Sequence, residues 1–352
     1  MLKKFLLLVI FILTATILSG CFEIKKELTL IGGGVFKSID GGANWGQTAT
    51  LSSLPNENQF LKNGDVNVLI FDPQNSQTIY WGTKEKGLFV SIDAGWSWQE
   101  IKKLPQTKIN AVAVDPYASH IVYVAIGNQI YKTTDANRSW KSVYLEGLNN
   151  VEINSVAVSY ATSDVIYAGL SDGRMIRSLN GGISWSLIGN FNGKISQILL
   201  NSKNPDIIYI VIKEAEIYFS VDQGEKWQAM AKGYNSLLTG EPIKNLFFHP
   251  TNPNGLIMVK GSGILATNNN GQDWSEYKLL TTPKKAQIGA MAIDPQNPKI
   301  IYYAITKTLY KSTDGGDNWT TYLIPSGQEP KIFLIDPNKT NVIYLGAIKS
   351  TK

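Results

Sequence analysis

Apolar runs such as Asn110 to Val114 recur along the chain and predict strands buried on both sides. Each leads into turn chemistry of the Asp-Pro-x-Asn kind, where Pro fixes φ and Asp and Asn bond nearby backbone. The clearest copies are Phe71-Asp72-Pro73-Gln74-Asn75, Val114-Asp115-Pro116, Ile293-Asp294-Pro295-Gln296-Asn297-Pro298 and Ile335-Asp336-Pro337-Asn338. Looser copies lie at 159–167, 201–209 and 249–257. A second apolar strand follows each turn, as in Ile79-Tyr80-Trp81-Gly82. After a short loop comes an alternating strand such as Leu309-Tyr310-Lys311-Ser312. Labelled A, B and C in that order, these strands need only an outer D strand to make a four-stranded unit.

The turn into strand D is the most regular feature of the chain. Seven segments read Ser or Thr, any residue, Asp or Asn, any residue, usually Gly, then Trp a few residues on. Their paired positions are Asp40 and Trp45, Asp93 and Trp98, Asp135 and Trp140, Asn180 and Trp185, Asp222 and Trp227, Asn269 and Trp274, and Asp314 and Trp319. These tryptophans are spaced 42 to 53 residues apart, the length a four-stranded propeller blade requires. The acid or amide is expected to accept backbone N–H bonds, Gly42 to take a positive φ, and Trp45 to pack back across its blade.

Counting these units decides the topology. Six A-B-C-D units are complete, while a C-D pair at 28–50 and an A-B pair at 331–349 stand alone at the two ends. An open sheet end would leave unpaired backbone, so the two halves should join and close a ring. The expected fold is all-β, a single seven-bladed propeller with blades at 66–104, 109–147, 151–190, 194–232, 243–280 and 287–325. Its last blade combines 331–350 with 28–50.

The repeated turns resemble the Asp-box (bacterial neuraminidase, BNR) repeat of sialidases, sortilin-type receptors, xyloglucanase-type glycosidases and photosystem II assembly-factor-like propellers. Wording such as Lys311-Ser312-Thr313-Asp314-Gly315-Gly316-Asp317-Asn318-Trp319 is most similar to the last three groups. The resemblance implies that the box residues are scaffold, set away from the ligand face. A sialidase would need three arginines from different blades. The chain has Arg138, Arg174 and Arg177, one inside a box and two in a single blade. The xyloglucanase type pairs two carboxylates across a cleft between two propellers. Its acid-bearing loop corresponds here to Thr83-Lys84-Glu85-Lys86-Gly87, with a lysine at the acid's place.

The N-terminus carries an export signal. Lys3 and Lys4 precede a fourteen-residue apolar stretch, Phe5 to Leu18, too short to span a membrane and suited to a signal peptide. It ends in Leu18-Ser19-Gly20-Cys21, which resembles a bacterial lipobox and implies acylation of the Cys21 sulfur. Residues 1–20 are then the signal peptide and 21–27 a lipidated tether. The expected address is a bacterial membrane surface, outer leaflet or periplasmic face. Cys21 is the only cysteine, so no intrachain disulfide is available.

Of the 33 basic residues, thirty are lysine (33 less the three arginines), a charge pattern that lacks the planar forks used to grip phosphate. Nucleic acid is not an expected partner. His120 and His249 are the only histidines, and the Asp-Gly clusters lack calcium-loop spacing, so no metal site and no cofactor is expected. In a propeller the B–C and D–A loops share one face, and that face usually carries binding. Candidates there are Asn56 and Phe60 in one long D–A loop, Tyr234 in another, and Lys84, Glu85, Lys86, Arg174, Lys213, Lys260 and Lys307 in B–C loops. The reading is a monomeric, membrane-tethered scaffold for a protein or glycan partner. The alternatives are a xyloglucanase-like hydrolase and a purely structural surface lipoprotein.

Overall fold

The structure, a computed structural model, describes residues 33–48, 50–51, 64–212, 216–281, 287–325 and 329–349. Seven antiparallel blades form the propeller. The closing blade has the order Gly46–Gln47, Gly34–Ser38, Ile343–Ile348, Glu329–Ile335, so strands from both ends of the chain pair directly. Gly34 to Ser38 runs antiparallel to Ala347 to Ile343 over its whole length. The tether at 21–27 and Cys21 lie outside the described residues.

Strand B, and not strand A, is the most buried layer. Val122–Ile126, Ile166–Leu170, Ile208–Ile212 and Ile301–Ile305 are buried at every position. Strand A is less uniformly buried: Val112 to Val114 are buried in succession, as expected, whereas Ile243–Phe248 leaves Lys244 and Asn245 exposed. Seven apolar clusters each span two adjoining blades, so burial between blades holds the ring together.

Each A–B turn is held by one acceptor at its first position. Asp72, Asp115, Asp294 and Asp336 accept the N–H two residues on, at 2.8 to 2.9 Å. Ser159 and Asn201 do the same in the looser copies. His249 fills this slot in the fifth blade, its Nδ1 accepting the Asn252 N–H at 3.1 Å. That explains a histidine here without any metal or catalytic role.

The boxes repeat one hydrogen-bond pattern. Ser38 Oγ accepts the Gly42 N–H at 2.9 Å, and Asp40 accepts the Asn44 N–H at 2.9 Å. The fourth and fifth positions are left-handed even without glycine, as at Ala136 (φ 55°) and Asn137 (φ 71°). The tryptophans do more than cross their own blade. Trp185 Nε1 donates to Val143 O, Trp227 to Ile188 O and Trp319 to Lys278 O, each reaching the outer edge of the preceding blade.

One sheet has five strands. Thr50–Leu51 runs parallel to Ser97 and Trp98 on the outer edge of the first blade, and Trp98 Nε1 donates to Thr48 O. Thr48 and Thr50–Leu51, expected to end the closing blade and begin a D–A loop, instead strap that blade to the next.

Candidate functional site

On the face shared by B–C and D–A loops, five of the seven A strands open with an irregular step. Residues 66 and 68 pair with consecutive partners and leave Asn67 bulged, and the same shift leaves out Asn154, Ser196, Lys244 and Lys331. Asn110 and Gly289 hold the equivalent place in the second and sixth blades, just before Ala111 and Ala290 begin their pairing. A bulge re-aims one side chain out of the sheet, here into the channel mouth.

Three of these seven residues link one blade to the next. Asn67 Nδ2 donates to Ile109 O at 2.7 Å, Asn110 Nδ2 to Ile153 O at 2.9 Å, and Lys244 Nζ to Ile288 O at 2.7 Å. In each case the acceptor directly precedes the next blade's bulge residue. Ser196 is too short to reach across and bonds Val211 O within its own blade. At Gly289 no side chain fits, because a Cβ would lie 2.3 Å from Pro330 O.

A cavity of about 480 Å³ lies at the mouth, bordered by Ser196, Lys244, Gly289 and Lys331 from four successive blades. Glu329 also lines it. Both lysines are exposed to the channel. The protein crowding around Lys244 lowers its pKa, as does nearby Lys331, against the opposite pull of Glu241 and Glu329. Burial lowers Lys331 as well, and Lys84 adds to this.

The residues expected on this face are distributed unevenly. Lys84 stands close enough to act on Lys331, and Glu85, Lys86 and Lys307 are exposed. Arg174 is engaged with Glu146 at 2.9 Å and Asp172 at 2.7 Å. Tyr234 is 1% exposed and packs edge-on against Trp274. Lys260 is 3% exposed, and its Nζ holds the Leu237 carbonyl at 3.1 Å, tying down the loop that carries Tyr234. Tyr234 and Lys260 thus sit beneath the face and shape it. Asn56, Phe60 and Lys213 lie outside the described residues.

Sequence reasoning passed over Lys244 and Lys331 because Lys244 closes the long D–A loop from Lys232, read for Tyr234, and Lys331 opens the run of the last A strand. The signal was present: aligning the A strands puts Asn67, Asn110, Asn154, Ser196, Lys244, Gly289 and Lys331 in one column, each after a buried apolar residue or Pro330. Among the described residues, no three His, Cys, Asp or Glu side chains are grouped as metal ligands would be.

A family model described as photosynthesis system II assembly factor YCF48 matches residues 15–322. The chain is similar to a xyloglucanase of a Paenibacillus species, with 22% identity over 335 residues, covering 82% of this chain and 29% of the enzyme. Among solved structures it is similar to the GH74 xyloglucanase of Xanthomonas campestris (TM-score 0.66, 18% identity), covering 81% of this chain and 51% of that one. It is also similar to YCF48 bound to D1 peptide (TM-score 0.64, 15% identity), covering 87% of this chain and 99% of that one. The chain thus spans about half the length of the Xanthomonas enzyme and less than a third of the Paenibacillus one.

Proposed function

The chain belongs to the photosynthesis system II assembly factor YCF48 family, and from that membership we propose that it is a binding and assembly scaffold for a protein partner. The partner docks on the channel-mouth face. The observation that carries this reading is the likeness to a peptide-bound propeller over 99% of that propeller's length. Our proposal adds acylation at Cys21, which would hold the scaffold on an envelope membrane. Two acyl chains would anchor it stably, since each buried methylene contributes about 0.8 kcal/mol.

The channel-mouth face suits such a role. Its walls are fixed by blade-to-blade hydrogen bonds, so a docked segment would lose less ordering entropy than on a mobile surface. Exposed Lys86 and Lys307 ring an interior that itself carries basic side chains.

Site-specific photocrosslinking in cells tests the reading. A crosslinker at 86 or 307 is expected to capture one reproducible protein partner, and a crosslinker at 183, exposed on the opposite box face, is not. Capture of the same proteins from both faces, or from neither, would overturn it.

A further inference from the structure

We propose that the cavity over Gly289 is a binding site for a single carboxylate group of a peptide, held between the Lys244 and Lys331 ammonium groups. This deepens the scaffold reading and rests on it.

Both lysines line the same cavity as Gly289. Lys244 Nζ is bonded to the carbonyl of Ile288, the residue before Gly289, at 2.7 Å. Lys331 follows Pro330, whose carbonyl and ring lie against Gly289. One bond occupies one of the three Lys244 N–H donors, leaving two for a ligand. Lys331 occupies the ring position whose counterparts Asn67, Asn110 and Lys244 cross to the next blade's carbonyl, and it projects into the channel.

The absence of a side chain at 289 lets Pro330 lie against the strand beside the cavity, and the surrounding protein makes the charge matter. A positive group crowded by protein is disfavoured until a counter-charge joins it. Glu241 and Glu329 act on Lys244, and Lys84 and Lys244 are the cations facing Lys331. Within the cavity itself, two lysines stand against Glu329, a net single positive charge. That balance matches a carboxylate better than a doubly charged phosphate. Lysines offer point charges without the planar fork of arginine, which also suits one oxygen per ammonium.

The test uses the complete chain with its lysines biosynthetically labelled with ¹³C and ¹⁵N, which leaves all three N–H donors of each ammonium in place, observed by NMR. The probes are acetyl-tetraalanine with a free C-terminal carboxylate, acetyl-Ala-Glu-Glu-Ala-amide, acetyl-tetraalanine-amide and inorganic phosphate. Signals assigned to Lys244 and Lys331 should shift together and saturate with a carboxylate probe and stay still with the neutral amide. If only the free-acid peptide binds, the carboxylate is a chain end; if the glutamate peptide also binds, an acidic side chain serves. Lys331→Gln, which removes no observed hydrogen bond, should weaken binding at least tenfold, and Lys141→Gln, on the exposed outer strand of the second blade, should leave it unchanged. Gly289→Ala should abolish it, with Lys331→Gln as the readout if that variant does not fold.

Shifts spread evenly over all lysines, tighter binding of phosphate than of either carboxylate, or unchanged binding by Lys331→Gln would overturn the site. Failure here is distinguishable from failure of the scaffold reading. A partner crosslinked through 86 or 307 whose capture survives Lys331→Gln leaves the scaffold standing and removes the carboxylate site. Carboxylate binding at Lys244 and Lys331 with no partner captured does the reverse.

Discussion

Lys37 Nζ donates to the carbonyl of Ala94 at 2.8 Å, and Tyr344 Oη donates to the same carbonyl at 2.7 Å. Lys37 comes from the N-terminal strand of the closing blade, Tyr344 from its C-terminal strand, and Ala94 from the box of the next blade. The same device recurs around the ring. Lys132 and Tyr123 meet at Gly181 O, Arg177 and Tyr167 at Gln223 O, and Lys311 reaches Gly41 O beside Tyr302. The residue just before four of the boxes therefore clamps the following blade.

Lys37→Met should loosen the seam where the chain ends meet. Removing a hydrogen bond from a charged donor costs about 1.5–3 kcal/mol. Burial already lowers the Lys37 pKa, so part of that value is offset by desolvation and the lower end is expected. The measurement is urea unfolding together with proteolysis of the N-terminal strand. Equal protection in the variant and the parent would refute the clamp.

Trp98 is fully buried and bonds the strap at Thr48, while its ring meets Trp81 at 5.3 Å. Trp98→Ala should destabilise by about 3–5 kcal/mol, the usual range for emptying a buried aromatic site. Trp98→Phe keeps most of the apolar volume and loses the bond, so a smaller loss is expected. If the two variants unfold at the same urea concentration, the strap rather than the ring supplies the stability.

Much of this fold was legible because each blade repeats its own instructions. Asp40, Asn44 and Ser38 announce their turn locally, and the half-blade offset at the two ends forces closure. What the sequence could not show was the cross-blade layer. Lys37 and Tyr344 look like ordinary strand residues until the next blade supplies Ala94 O as an acceptor, and nothing in the box marks that Trp185 reaches Val143 O of the preceding blade. The mouth was hidden for a related reason. A bulge turns Lys244 out of an apolar strand, and an alternating pattern does not record a one-residue shift. Tyr234 and Lys260 misled in the opposite sense, since a polar residue in a loop can be its anchor.

Ala136 sits at φ 55° in the third box, at the position held by Gly41, Gly181 and Gly315 in three of the other boxes. A left-handed L-residue costs roughly 1–2 kcal/mol, partly returned because glycine gains more freedom in the unfolded chain. Ala136→Gly should therefore be neutral to stabilising by about 1 kcal/mol. A clear loss of stability in thermal unfolding would show that the Ala136 methyl group packs usefully, contrary to this account.

The Asp boxes should set the acid limit of the propeller. In Asp40 the Asn44 backbone N–H, with help from the Asn44 and Ser38 side chains, lowers the pKa from 3.8 to about 2. Ser139 does the same for Asp135, and Asn318 for Asp314. A carboxylate with a depressed folded pKa contributes stability that is present above its unfolded value and is lost as pH falls through the folded one. The window here is therefore about pH 4 down to about pH 2, and stability should fall steeply within it. Two boxes already carry the neutral amide: Asn180 accepts the Ser184 N–H at 2.9 Å and Asn269 the Asp273 N–H at 3.0 Å. Replacing Asp40, Asp135 and Asp314 by Asn should preserve the fold at neutral pH and flatten the acid side of the profile. Circular dichroism at fixed urea across that range is the measurement. An unchanged slope in the triple variant would mean that carboxylates outside the boxes, such as Glu146 beneath Arg174, govern acid unfolding instead.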